Sequence, residues 1–344
     1  MRRILLVNPF GIGDALFTLT LAESIRSALP NSYIGFVCNE RTVDIVRRCR
    51  AVDRTIVFNR DHLRAAWKKN IFLGLRELRA LVRLVRDEKF DSLLDLSLGR
   101  EYAFFAMRAG IRERIGLNYK NRGIFLTKKL NIRSYDDAPV AETQLRLLAM
   151  AGIHAVPGLA LSSIRVPEPS APPRQRYIVV APGGGKSWGP NAAYKQWAPE
   201  RFAEAAERFC REKGFEAVVM GESGERGLLE DVASRLSVKH SLCCGRPLDE
   251  AASVLSKAEL LLCNDGGLMH LAHALGVKVT ALFGPVDPLV YGPYGAGAAV
   301  RILTADVPCR PCYHDFRFPP CAHQKRCLTE IGADRAVAAM KEII

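Results

Sequence analysis

A chain of 344 residues with 49% hydrophobic and 25% charged side chains can bury more than one core and is too evenly mixed for a disordered polymer. Its 49 Lys and Arg against 36 Asp and Glu leave a net charge of +13, which implies an acidic partner: nucleic acid, an anionic membrane surface or a phosphorylated substrate. Ten cysteines suit free thiols or, where they cluster, metal ligands, and no run approaches the roughly 18 apolar residues of a membrane span, so a cytoplasmic protein is expected.

The opening Met1-Arg2-Arg3-Ile4-Leu5-Leu6-Val7 imitates a signal peptide, but Asn8, Pro9 and Asp14 interrupt its apolar region too early. Ile4 to Asn8 therefore reads as a first buried strand, followed by the turn Gly11-Ile12-Gly13-Asp14 and an amphipathic helix through Leu16, Leu19, Ile25 and Leu29. Gly11 and Gly13 form half of a dinucleotide fingerprint, and Phe17 follows where a small residue is wanted, which disfavours a Rossmann oxidoreductase. Asp14 is either a cap or first-turn acid of that helix, or a base at the mouth of the first strand. Strands follow at Tyr33 to Cys38 and Thr55 to Phe58. One long helix is expected from His62 to Glu88, with Leu63, Trp67, Ile71, Leu75, Leu78, Val82 and Val85 as its buried stripe. Arg64, Lys68, Arg76, Arg79, Arg83 and Arg86 mark another face, which is either plainly solvated or suited to an anionic membrane surface. Strands at Asp91 to Leu96 and Arg114 to Leu117 and a helix from Ala138 to Ala151 complete this half.

Five prolines between Pro157 and Pro173 then mark a linker. Beyond it, strands at Tyr177 to Ala181, Glu216 to Met220, His240 to Cys243, Leu260 to Cys263 and Lys278 to Phe283 alternate with helices at Pro199 to Lys213, Arg226 to Leu236, Leu248 to Ser256 and Leu268 to Leu275. The alternation in both halves predicts an α/β chain of two doubly wound, Rossmann-like domains facing a cleft. The expected division is 1–155, a Pro-rich linker at 156–176, 177–304, and a Cys-rich segment with a C-terminal helix at 305–344.

Ala181-Pro182-Gly183-Gly184-Gly185-Lys186-Ser187 imitates a P-loop, but Val180 stands where its first glycine belongs and Trp188-Gly189-Pro190 interrupts the helix that should follow. Gly183 and Gly184 still suit close approach of a diphosphate, and Lys195, beside a helix start, could neutralise it or be merely solvated. Glu225, after Gly221, could bind ribose hydroxyls or cap the next helix. Asn264-Asp265-Gly266-Gly267-Leu268-Met269-His270 joins a buried strand to a helix N-terminus, where backbone N–H groups favour a phosphate. There Asp265 accepts from sugar hydroxyls or caps the helix.

Together, Asp14 after its glycine turn, the glycine loop with Lys195-Gln196-Trp197, Gly221 with Glu225, and Asn264 to His270 followed by Phe283-Gly284-Pro285 resemble glycosyltransferase family 9, the ADP-heptose:lipopolysaccharide heptosyltransferases. The resemblance implies a GT-B fold and an inverting transfer of heptose from ADP-heptose to a lipid-linked lipopolysaccharide core acceptor, with no obligatory metal. It makes Gly11 and Gly13 part of an acceptor loop, Asp14 the general base and Lys195 the stabiliser of the departing diphosphate. Glu225 would hold the ribose, Asp265 the sugar hydroxyls, and the N–H groups of Gly266, Gly267 and Leu268 the phosphates, with His270 nearby. A glycosyltransferase using another nucleotide sugar or glycan acceptor, or a non-catalytic nucleotide-sugar-binding protein, are the alternatives. No aromatic-basic motif for RNA is present, so nucleic acid is not an expected partner. The basic balance suits peripheral attachment to the inner face of the cytoplasmic membrane. In the tail, Cys309, Cys312, Cys321 and Cys327 could build a structural zinc or iron site, or remain reduced thiols.

Overall fold

Strands buried on both faces read as unbroken apolar runs, and those runs build two parallel sheets. The computed structural model describes residues 1–58, 65–66, 68–135, 138–154, 164–169, 173, 175–295 and 299–344. It divides into two compact units, Met1–Ser163 and Ile164–Ile344. The first carries β1 (Arg3–Val7), β2 (Tyr33–Cys38), β3 (Arg54–Val57), β4 (Ser92–Asp95), β5 (Glu113–Tyr119) and β6 (Lys128–Ile132), in the order β3-β2-β1-β4-β5-β6. The second carries β7 (Tyr177–Ala181), β8 (Glu216–Gly221), β9 (His240–Cys244), β10 (Leu260–Asn264), β11 (Lys278–Leu282) and β12 (Val300–Leu303), in the order β12-β11-β10-β7-β8-β9.

Every strand pair in both sheets is parallel. Numbered within its own unit, the second sheet repeats the strand order of the first, the doubly wound order of dinucleotide-binding folds. The order reverses between β1 and β4 in one unit and between β7 and β10 in the other. Ligands in such sheets bind beyond the carboxyl ends of the strands flanking that switch.

The helix Pro199–Lys213 shows how local signals set the elements. Proline opens it, Gly214 closes it in the left-handed region at φ 68°, and Phe202, Ala206 and Phe209 form its buried stripe. That stripe joins the core of the second unit with Ile178, Val180 and Trp197.

The expected helix from His62 to Glu88 is corrected. Residues 65–66 and 68–69 are helical, but Asn70 is extended and a new helix begins at Ile71, ending at Asp87. The Asn70 side chain accepts from the Phe72 N–H at 2.7 Å, so a local cap interrupts an apolar periodicity that runs straight through it. Ile71, expected in the buried stripe, is 59% exposed, and Phe72 is 77% exposed. Leu78, Val82 and Val85 do face the core, and Arg76, Arg79, Arg83 and Arg86 are exposed. His62, Leu63, Arg64 and Trp67 lie outside the described residues, as do Pro157, Pro172 and most of the expected linker. Of the linker's described part, Pro167 accepts a hydrogen bond from Ser253, and Glu168 pairs with Lys257 at 2.9 Å.

Candidate active site

In the first unit, the turn after β1 is braced by two asparagines. Asn8 donates to the Asp14 carbonyl at 3.0 Å and to the Thr18 hydroxyl at 2.9 Å, and Asn39 donates to the Pro9 carbonyl at 2.8 Å. Gly11 caps the helix Ile12–Ala28, placing Asp14 in its first turn rather than at the cap. Gly11, Gly13 and Asp14 thus sit at the carboxyl end of β1, on the flank of the switch. At the neighbouring end of β4, in register with Val7, lies Asp95, which sequence reading passes over. Burial pushes its carboxyl up to about 6, against the bonds it accepts from Ser97.

In the second unit the loops after β7, β8 and β10 converge. A Cβ on Gly184 would fall 2.2 Å from the Ala192 carbonyl oxygen, so only glycine fits beneath the short 3-10 helix Lys186–Lys195. A Cβ on Gly183 would fall 2.2 Å from Glu225 Oε1, which places that carboxylate directly over the glycine loop. Glu225 also accepts from the Glu222 N–H at 3.0 Å in a capping box, so the two sequence readings of this residue are compatible.

Lys195 and Asp265 form the centre. Nζ of Lys195 lies 2.7 Å from Oδ2 of Asp265, with the side chains 2% and 7% exposed. Gly266, not Asp265, caps the helix Gly267–Ala274 and does so without a side-chain bond. The Asp265 carboxylate thus meets the lysine through Oδ2 and does not cap the helix, while Gly266, Gly267 and Leu268 lead into the first helical turn. A buried pair of this kind resists being broken from either side, because the charge left behind is desolvated.

His270 follows one turn later. Burial pushes its imidazole down to about 4, with Asp265 opposing and Lys195 and His273 reinforcing, and the ring bonds to the Tyr291 backbone. It is thus neutral at pH 7. Because its folded value lies below the unfolded 6.5, the unfolded chain takes up the proton first, and this contribution to stability is whole above pH 6.5 and lost as pH falls toward 4. The expected result is a drop in melting temperature from pH 7 to pH 4.5 that is smaller in His270→Gln than in the native protein. Equal drops would remove His270 as its source.

The tail places Cys309, Cys312, Cys321 and Cys327 in the second unit. Among the described residues no three His, Cys, Asp or Glu side chains are grouped so as to hold a metal. Cys327 lies in the core of the second unit with Cys309 packed against it, Cys312 is half-buried, and Cys321 is exposed, and all three act electrostatically on Cys327. Burial first, then the neighbouring thiols, push Cys327 up to about 11. The segment also braces the lysine loop. Phe318 packs on Tyr194 with ring centroids 5.9 Å apart, Lys325 donates to the Ala193 carbonyl at 3.3 Å, and the Trp197 indole donates to the Ile331 carbonyl at 2.9 Å.

The family model of glycosyltransferase family 9 (heptosyltransferase) matches residues 78–321. Lipopolysaccharide heptosyltransferase 1 of Pseudomonas aeruginosa is 28% identical over 327 residues, covering 90% of this chain and 86% of that protein. A family 9 glycosyl transferase from Veillonella parvula superposes with a TM-score of 0.81 at 21% identity, covering 99% of this chain and 97% of that one. The E. coli heptosyltransferase WaaC, solved with ADP, gives 0.77 at 19% identity, covering 99% and 100%. These likenesses establish the GT-B fold. The match over residues 78–321, together with the doubly wound sheets, makes this chain a glycosyltransferase that belongs to family 9, the heptosyltransferase family.

Proposed function

We propose that this protein transfers heptose from ADP-heptose to a lipopolysaccharide core acceptor, with inversion and without an obligatory metal. The observation that carries the proposal is the edge of the second sheet, where Gly183, Gly184, Glu225, the Lys195–Asp265 pair and the start of the helix Gly267–Ala274 meet. A sugar diphosphate needs such a set: close backbone approach, a carboxylate for ribose hydroxyls, a cation and a helix dipole for the phosphates. The names of the relatives and the ADP solved with the E. coli enzyme support the donor.

In this reading Asp14 takes the proton of the acceptor hydroxyl as that oxygen bonds to the anomeric carbon, and the bond from that carbon to the diphosphate breaks. Lys195 and the first-turn N–H groups of Gly266, Gly267 and Leu268 meet the charge that develops on departing ADP, the work a metal would otherwise do. Asp265 accepts from the sugar hydroxyls and Glu225 from the ribose. His270, being neutral, supplies hydrogen bonds rather than charge. The inverting course is what the resemblance to family 9 implies, and no step is assigned to the tail cysteines.

Calorimetry of the purified protein with ADP, UDP and GDP tests the donor. Preference for ADP is expected; preference for UDP or GDP would keep the fold and overturn the heptose assignment, and no binding would overturn the donor site altogether.

The acceptor is lipid-linked, so the protein works at the inner face of the cytoplasmic membrane as a peripheral enzyme. Among the described residues no helix is long and apolar enough to cross a membrane. The exposed face of Arg76, Arg79 and Arg83 is the element that meets the anionic surface. Changing all three to Glu is expected to reduce co-sedimentation with anionic liposomes, each lost charge being worth about 1 kcal/mol at the surface. Unchanged sedimentation would return that face to plain solvation.

A further inference from the structure

We propose that Asn264 is a positioning residue that sets Lys195 and the glycine loop in register at the donor site. It is the last residue of β10, is 2% exposed, and bridges the switch in the second sheet. Its Oδ1 accepts from the Trp197 backbone N–H at 3.0 Å. Its Nδ2 donates to the carbonyls of Pro182 at 2.7 Å and Gly183 at 3.3 Å. One amide thus ties the loop after β7 and the segment carrying Lys195 to the strand that presents Asp265.

The chemistry of the side chain matters here. An amide offers two N–H donors and an acceptor from one rigid plane at any pH, so Asn can hold an N–H and two carbonyls at once. Lys195 is then fixed at two points by consecutive residues. Asn264 holds its backbone through Trp197, and Asp265 holds its ammonium at 2.7 Å. Loss of the first tie leaves the charge pair intact but frees the loop to shift, and a misplacement of about 1 Å in such a group costs about a hundredfold in rate.

The inference rests on the proposed role of Lys195 toward a nucleoside diphosphate. Its test is the kinetics of Asn264→Ala and Asn264→Asp, measured well below the melting temperature of each. For Asn264→Ala, kcat is expected to fall about a hundredfold with the acceptor KM unchanged, and ADP to bind more weakly. A role confined to stability would lower the melting temperature and leave kcat alone; that result overturns the proposal. In Asn264→Asp, the ionised carboxylate cannot donate to the Pro182 carbonyl, whereas its neutral form both donates there and accepts from Trp197. Its kcat relative to the native enzyme at the same pH should therefore rise as pH is lowered, while that of Asn264→Ala stays flat. Should Asn264→Ala fail to fold, the pH trend of Asn264→Asp decides, and a flat trend overturns the proposal. Native protein that binds no ADP would sink the donor reading, whereas native and variant proteins that bind it equally would sink the role of Asn264.

Discussion

Asp14→Ala is expected to lower heptosyl transfer by about 10²- to 10⁴-fold, the span that removal of a positioned general base produces. The Asn8 amide and the Thr18 hydroxyl both donate to the Asp14 backbone carbonyl, so alanine keeps these two braces. Alanine is also favoured within a helix, and Asp14 stands inside the helix Ile12–Ala28. Folding should therefore survive, and calorimetric affinity for ADP, whose proposed site lies wholly in the second unit, should be nearly unchanged. Initial rates with acceptor measure the effect. Turnover equal to that of the native enzyme would remove Asp14 as the base and turn attention to other carboxylates of the first unit.

Lys195→Ala is expected to act on rate and stability together. Loss of one preorganised group at a developing charge costs about 10²- to 10³-fold in kcat. Removal of the lysine also strands the Asp265 carboxylate, 7% exposed, and breaking such a pair from one side costs about 3–5 kcal/mol. The double variant Lys195→Ala with Asp265→Ala separates the two effects. It should regain much of the lost stability, because no charge is stranded, and none of the lost activity. Denaturant midpoints for the single and double variants read the first effect, and single-turnover rates read the second. If the double variant were no more stable than Lys195→Ala, the pair would carry no coupling and its proposed position at the centre of the site would fail.

Legibility in the sequence followed burial. β1, β2, β7 and β10 are near-continuous apolar runs and could be placed within a residue or two, since a parallel strand covered on both faces has no polar side to disguise it. Of the four edge strands, β3 and β9 were legible and β6 and β12 were not. Lys128-Lys129-Leu130-Asn131-Ile132 forms β6 with both lysines exposed, and Val300–Leu303 forms β12 with its two central residues exposed. Their pairing comes from the neighbouring strand, and no local pattern announces it. The break at Asn70 was hidden by the opposite effect, because helical periodicity persists across a residue whose side chain caps a new helix.

Within the candidate site, Gly183, Lys195 and Asp265 were legible through glycine turns and their order along the chain. What joins them was not. Trp197 and Asn264 are 67 residues apart, and an asparagine at a strand end looks like any turn residue until the fold supplies two carbonyls and an N–H around it.

The buried contact between Lys195 and Asp265 has a consequence for ionic strength. Salt screens exposed charges beyond about 10 Å at 0.1 M but hardly reaches a pair removed from solvent. The two sites of this enzyme should therefore respond differently as salt is raised. The proposed attraction of an anionic surface to the exposed arginines of the first unit would weaken steeply, while the cation proposed to meet the diphosphate would keep its local field. High salt would then leave an enzyme still charged with donor and separated from its lipid.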